Sequence, residues 1–278
     1  MSIGDFHNHT NHSDGKLTPQ QLITKAYRNN VRYIAITDHD SISGIADAKK
    51  EAAKYKNIHV ISGIELSIDI YNEDVHMLGL FINETYPDLL IELEILKKER
   101  ENRAIEIINV LKKQNIILEW EKIKIIANNA TIGRPHIAQA MIDMNYVSSV
   151  QEAFNKYLAQ ENIINIKRIK LKPKDAMELI NKAGGISVLA HPMYLKKINL
   201  IIKELKKYNL FGIETYYKNY DIKTINNIKL IAKKNGLFTS GGSDYHGIHG
   251  NMEKEPGDIP LPNEIVKELI QKQSRNQK

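Results

Sequence analysis

A chain of 278 residues and 31.8 kDa, 42% hydrophobic and 26% charged, has the composition of a globular domain large enough for a sizeable core, which excludes disordered, collagen-like and coiled-coil classes. It has no cysteine, so disulfides, thiol catalysis and Cys-type zinc sites are excluded, and His, Asp and Glu are left as metal ligands. The net charge of +6 and pI near 9.1 favour anionic partners such as phosphate esters or nucleic acid.

The amino terminus lacks a basic stretch followed by an apolar run, and no apolar segment of membrane-spanning length follows, which reads as a soluble, cytoplasmic protein. Short Ile/Val-rich runs alternate with amphipathic stretches, the pattern of an α/β protein whose mainly parallel sheet carries helices outside it. Strands are predicted at 4–9, 32–37, 59–64, 75–81, 186–190, 212–216 and 237–241, a number that suggests a barrel. Each has a site-type residue at or just beyond its carboxyl end. Between the first two strands, Thr18-Pro19-Gln20-Gln21 predicts a helix start with an N-cap Thr, Pro at the first position and Gln at the third, and Asn29-Asn30 marks its end. From residue 85 to 172 the alternation stops, and helices are predicted at 87–114, 119–128, 135–144 and 150–158. This reads as a helical insertion (85–172) in a barrel made of 1–84 and 173–278, with a frayed polar tail beyond Ser274. Lysines such as Lys196, Lys197, Lys203, Lys206 and Lys207 read as solvated faces.

The histidines carry the strongest signal. His7 and His9 stand two apart on a predicted strand, so both imidazoles share a face and can hold one ion, and Asp14 follows in a turn able to swing a carboxylate over the same cavity. A pair of ordinary strand histidines before a turn-forming Asp-Gly is the bland alternative. The second strand ends Thr37-Asp38-His39-Asp40 and the third Gly63-Ile64-Glu65; the fourth carries His76, the fifth ends Ala190-His191-Pro192, and Asp244 and His246 follow Gly241-Gly242. Taken singly, Glu65 reads as an ion-pair member and His76 as a core histidine. Together these side chains converge at one end of the sheet, in numbers suited to two or three Mn²⁺, Zn²⁺ or Fe²⁺ ions with mixed imidazole and carboxylate shells. Clustered metals of that kind imply phosphoester hydrolysis, because neighbouring ions can clamp both oxygens of an in-line displacement. His59 reads as bland, His12 and His249 as loop residues beside ligands, and Trp120 and Tyr146 as packing residues.

The segments 5–15, 37–40, 63–65, 190–192 and 242–247 resemble the motifs of the PHP (polymerase and histidinol phosphatase) superfamily of metal-dependent phosphoesterases, a resemblance that spans residues 3 to about 250. It implies a distorted (β/α)7 barrel with a trinuclear site, Mn²⁺ foremost and Zn²⁺ or Fe²⁺ as alternatives. Carried over by position, one ion falls to His7, His9, Glu65 and Asp244, a second to Asp14, His39 and His246, and a third to Glu65, His76 and His191, with Glu65 bridging. A metal-bridging hydroxide would then attack phosphorus. Residues 133–138 resemble the element that brings an Arg and a His over the metals to hold substrate phosphate in the nucleotide-hydrolysing branch, and Asp40, Arg134 and His136 are the catalytic candidates for leaving-group or substrate contacts. The substrate implied is a nucleoside 3′,5′-bisphosphate, a nucleoside monophosphate or short 5′-phosphorylated RNA. Histidinol phosphate, or another small phosphomonoester, is the alternative within the class, and a non-catalytic nucleic-acid-binding module the alternative outside it. Nothing in the sequence asks for an obligate protein partner.

Overall fold

The computed structural model describes residues 1–166, 170–248 and 253–276. Its elements follow in the order β1 (Gly4–Asp5), α1 (Pro19–Arg28), β2 (Tyr33–Ile36), α2 (Ile45–Ala52), β3 (His59–Ile70), β4 (Glu73–Leu80), α3 (Pro87–Lys112), α4 (Trp120–Ala127), α5 (Arg134–Asp143), α6 (Val150–Ala153), α7 (Glu161–Ile164), α8 (Pro173–Lys182), β5 (Ile186–Leu189), α9 (Ile198–Leu205), β6 (Gly212–Tyr217), α10 (Ile222–Asn235), β7 (Phe238–Gly242) and α11 (Asn263–Asn276). The strands form a 7-stranded sheet in sequence order. It curls into a nearly closed barrel: the amide of Phe6 donates to Gly241 O at 3.1 Å and that of His9 to Tyr245 O at 2.9 Å, which brings the first segment against the last. A Cβ on Gly242 would lie 2.4 Å from the Cβ of His7, so only glycine permits this closure.

One strand runs against the expected direction. β4 is antiparallel to both β3 and β5, whereas the other neighbouring pairs are parallel. No helix separates β3 from β4; Tyr71 (φ 54°) and Asn72 (φ 61°) make a two-residue turn with both residues left-handed, the turn that closes tight hairpins and forces the return strand antiparallel. β3 therefore extends to Ile70, well past the predicted end at 64, and His76 lies within a strand, not at a carboxyl end. The predicted first strand is also cut short. Beyond Asp5 the backbone leaves the regular ladder and bonds alternately to β7 and to the end of β2, where Thr37 N donates to Asn8 O at 2.9 Å.

Helix α1 begins as its sequence predicts. Thr18 Oγ1 accepts from Gln21 N at 3.2 Å and Gln21 Oε1 from Thr18 N at 2.9 Å, a reciprocal cap behind Pro19. Strand alternation sorts the core. In β2, Ile34 and Ile36 face α1 and α2, while Ala35 faces inward with Phe6, Leu78 and Val188. Ile64, Leu66, Ile68 and Ile70 of β3 pack outward with α8, α9 and α10, which leaves Gly63, Glu65 and Ser67 on the opposite face.

Residues 85–166 are mainly helical. Helix α6 passes into a π-helical turn at Phe154–Leu158, and the short α7 was not expected from sequence. Leu89, Leu93 and Leu96 in the first half of α3 join the core over the barrel sheet, whereas Ala104, Ile107, Ile108 and Leu111 in its second half join a separate core with Ile123, Ile137 and Met141. One helix thus belongs to two cores. Among the described residues, no helix is long and apolar enough to cross a membrane.

Candidate metal centre

The predicted cluster assembles at the end of the barrel where the parallel strands finish. Glu65 is aimed inward by the alternation of β3, and His76 by that of β4, whose register sets Ser67 opposite His76 and Glu65 opposite Leu78. His39 follows β2 and bridges to Glu65, with Asp40 N donating to Glu65 O at 3.0 Å. His191, Asp244 and Asp40 all sit in the left-handed region, at φ 27°, 47° and 49°. For non-glycine residues such backbone costs about 1–3 kcal/mol and persists where the surroundings impose it, as at functional sites. The loop carrying Asp14 is held by Asp38, whose carboxylate accepts from Thr10 N at 2.7 Å, Thr10 Oγ1 at 2.6 Å and Ser13 Oγ at 2.6 Å.

Around Glu65 the distances are short. Its Oε2 lies 3.2 Å from His7 Nε2, 3.2 Å from His9 Nε2 and 3.0 Å from His39 Nδ1; its Oε1 lies 2.9 Å from His76 Nδ1 and 3.2 Å from His191 Nε2. Asp244 Oδ1 lies 3.1 Å from His9 Nε2 and 3.4 Å from His7 Nε2, and Asp14 Oδ1 lies 3.4 Å from His246 Nε2. Three sets have their donor atoms mutually within 4.8 Å: His7, His9 and Glu65; His39, Glu65 and His76; and His9, Asp14, His39 and His246. His9 and His39 each join two sets, a sharing that the assignment by resemblance did not contain.

These side chains fit divalent ions. His7 Nε2, both ring nitrogens of His9, His39 Nδ1, Asp14 Oδ1 and Glu65 Oε2 are buried without a hydrogen-bond partner, although several stand at hydrogen-bonding distance from one another. These atoms therefore converge on shared points without bonding one another. Buried polar atoms left this way are costly unless something binds between them. Imidazole and carboxylate suit Mn²⁺, Zn²⁺ and Fe²⁺ alike.

The electrostatics divide the histidines. Burial alone would lower His7, but the charges of Glu65, Glu214 and Asp244 outweigh it and hold the ring well above its ordinary pKa. For His9 the same opposition, between burial and the carboxylates of Asp244 and Glu65, raises the pKa to about 10. For His39 burial wins over Glu65 and Asp14, the neighbouring His9 and His76 add to it, and the pKa falls to about 3. Burial opposes ionisation of Asp14, Glu65 and Asp244, yet the surrounding histidines hold all three well below the usual carboxylate range.

Beside the cluster opens a cleft of about 650 Å³, lined by Asp14, His39, His76, Arg100, Arg103 and Arg134 among others. Arg134 opens α5, lies 5.5 Å from the ring of Phe154 and donates to Leu158 O at 3.4 Å. His136 Nδ1 accepts from Gly133 N at 3.0 Å, burial lowers its pKa, and its Nε2 therefore carries the proton. Asp40 is turned away from an open role: it is buried, its Oδ2 is gripped by Arg100 Nε at 2.7 Å and Nη2 at 2.6 Å, and its Oδ1 accepts from Ser67 N at 3.3 Å. His12 caps a loop through Ser43 at 2.8 Å, His59 stacks on Tyr33, and His249 lies outside the described residues.

Sequence reasoning assigned no role to several of the groups that hold this centre, although the segment 212–217 shares the resemblance to the nucleotide-hydrolysing branch. Glu214, fully buried on β6, takes His7 Nδ1 at 3.1 Å on one oxygen and the amide of His191 at 2.7 Å on the other. Tyr217 donates to Asp244 Oδ2 at 2.7 Å and Lys218 Nζ stands 3.0 Å from the same oxygen. Arg100 left a signal in the sequence: it interrupts the apolar stripe Leu89, Leu93, Leu96, Ala104, Ile107 and Leu111 at the next helical step after Leu96. Glu214 left another, as an acid within a strand whose every residue is buried.

The PHP domain family model matches residues 5–162, and the chain belongs to that family. Two relatives make the likeness more particular. A 5′-3′ exoribonuclease of Haemophilus influenzae is 32% identical over 253 residues, 90% of this chain and 92% of that protein. A 3′,5′-nucleoside bisphosphate phosphatase of Chromobacterium violaceum is 30% identical over 272 residues, 94% of this chain and 93% of that protein. The solved structure of an amidohydrolase from Chromobacterium violaceum, with bound sulfate and no metal, superposes with a TM-score of 0.87 at 27% identity and covers 98% of this chain and 97% of that one.

Proposed function

We propose that this protein is a metal-dependent phosphoesterase acting on nucleotides, with nucleoside 3′,5′-bisphosphates, nucleoside monophosphates or short 5′-phosphorylated RNA as substrates. The observation that carries the reading is the set of buried, unbonded His and carboxylate donors converging beside an arginine-lined cleft. His7, His9, Glu65 and Asp244 would hold one ion, Asp14, His39 and His246 a second, and Glu65, His76 and His191 a third. Bound ions supply Lewis-acid stabilisation and a water of lowered pKa at the phosphorus.

The chain's own residues do the rest. Arg134 grips substrate phosphate, because its planar fork matches phosphate oxygens and its position over Phe154 fixes it before substrate arrives. His136, neutral with its proton on Nε2, offers a donor at the start of α5. Asp40 serves as a positioning residue, tying β3 to α3 through Ser67 and Arg100. Residues 85–172 act as a cap that supplies the cleft wall. In the reaction a P–O bond forms to water, the bond to the sugar 3′-oxygen breaks, and the proton passes to that oxygen. The same leaving group serves a 3′-phosphate and a 3′,5′-diester, and the names of the relatives cover both.

The test is phosphate release from adenosine 3′,5′-bisphosphate by Mn²⁺-loaded protein, with an EDTA-treated aliquot alongside. Chelator-sensitive release is expected. Preferential turnover of histidinol phosphate would overturn the substrate class, and inert Mn²⁺-loaded protein that binds RNA would overturn catalysis itself.

A further inference from the structure

Resting on that reading, we infer that Tyr194 is a stacking platform for the nucleobase that follows the scissile phosphate of an oligoribonucleotide, so that this one ring sets preference for substrate length. A line of rings runs out of the cleft, from His39 to His76 at 5.1 Å, to His191 at 5.1 Å and to Tyr194 at 6.0 Å. Tyr194 is the first of them open to solvent, at 59% exposure, and it does not line the arginine cleft. A nucleotide seated in the cleft with its phosphate over the histidines therefore continues toward this ring.

Tyr194 is held in place although exposed. It ends a single 3-10 turn, Pro192–Tyr194, directly after the left-handed His191. The ring of Tyr217 meets it edge-on at 5.9 Å and that of Tyr220 lies tilted at 6.4 Å. Tyr220 Oη accepts from Met193 N at 3.0 Å, while Glu73 accepts from Lys196 N at 2.7 Å and Lys197 N at 2.9 Å, which ties the loop to the β3–β4 hairpin. A propped aromatic loses little freedom when a base stacks on it. Lys196 and Lys197 stand exposed on the same loop; Lys197 Nζ donates to Tyr71 O at 3.1 Å, and the charge of Lys196 is placed for the phosphates of a single strand. Aromatic rings interleaved with cations are the usual means of holding single-stranded nucleic acid, because every base has a π-face.

The test compares adenosine 3′,5′-bisphosphate, which has no second base, with a 5′-phosphorylated tetraadenylate on the parent, Tyr194→Ala and Tyr194→Phe proteins. The ratio of kcat/KM for the tetramer to that for the bisphosphate is expected to fall roughly 5- to 150-fold in Tyr194→Ala, through KM, and to recover in Tyr194→Phe. An unchanged ratio, or an equal fall on both substrates as a misplaced His191 would give, overturns the platform. Fluorescence anisotropy with labelled tetramer in EDTA gives the same comparison as Kd without turnover. If the parent hydrolyses neither substrate, the phosphoesterase reading fails, and the anisotropy still decides the platform: a Kd unmoved by Tyr194→Ala overturns it.

Discussion

Glu214 holds two candidate ligands with one carboxylate, and Glu214→Gln tests how far the metal centre depends on that grip. The substitution keeps the volume and exchanges two acceptors for one acceptor and one donor. With the amide oxygen kept on the His191 amide, now 2.7 Å from Glu214, the new NH₂ faces His7 Nδ1. To bind an ion through Nε2, His7 must lose one proton and keep the other on Nδ1, facing Glu214; opposite an NH₂ group the neutral ring instead keeps its proton on Nε2, the atom 3.2 Å from Glu65 and 3.4 Å from Asp244, and has no lone pair there for an ion. With the amide reversed, NH₂ meets the buried N–H of His191, and two opposed donors cost about 1–3 kcal/mol. Either arrangement weakens the site. Loss of such a partner lowers metal affinity about 10- to 100-fold, or about 1.4–2.7 kcal/mol. Titration with Mn²⁺, following the electron paramagnetic resonance of the free ion, reads this directly, and thermal melting in EDTA verifies the fold. Mn²⁺ affinity within about twofold of the parent, in a folded variant, would refute the argument.

Asp244→Ala and His191→Ala are each expected to reduce phosphate release to the level of the chelated enzyme while circular dichroism stays that of the parent; parental activity in Asp244→Ala would sink the metal assignment. Arg134→Ala should raise KM for a nucleotide substrate by about 10- to 100-fold, the worth of a charged phosphate contact, with a smaller change in kcat, and steady-state kinetics separate the two. Metal uptake should release protons: His9, with its pKa raised to about 10, is protonated at neutral pH, so an ion must displace that proton. The sign follows, with Mn²⁺ affinity falling as pH falls, by about tenfold per unit for each proton displaced. Calorimetry in buffers of different ionisation enthalpy counts those protons, and none released at pH 7 would contradict the account.

Local chemistry made much of this molecule legible in its sequence. The cap at Thr18 is a short-range fact and stands in the structure where the pattern puts it, whereas His7 and His9 meet at a ring distance of 5.2 Å on irregular backbone beyond a strand that ends at Asp5, and Glu65 lies in the middle of a longer strand. The β3–β4 hairpin was harder to read, because Tyr71 is an uncommon residue for a left-handed turn and carries no Gly signal. Partnerships across the chain were harder still. Arg100 and Asp40 are 60 positions apart and Glu214 and His7 are 207 apart, so only the closed barrel brings them together. The π-helical turn at Phe154–Leu158 arises within an ordinary helical pattern, and we have no physical account of why it forms there.

The helix that lies in both apolar cores bears on how the whole chain comes apart. Leu89, Leu93 and Leu96 cannot leave the barrel sheet without straining the backbone that carries Ala104, Ile107 and Leu111 into the other core, so the barrel and the helical segment are expected to unfold as one cooperative unit. Calorimetry should then record one transition where two loosely joined domains would give two, and amides of α5 should exchange with solvent no faster than those of β3. One such transition would make the arginine wall of the cleft as durable as the barrel itself, masonry and not a door.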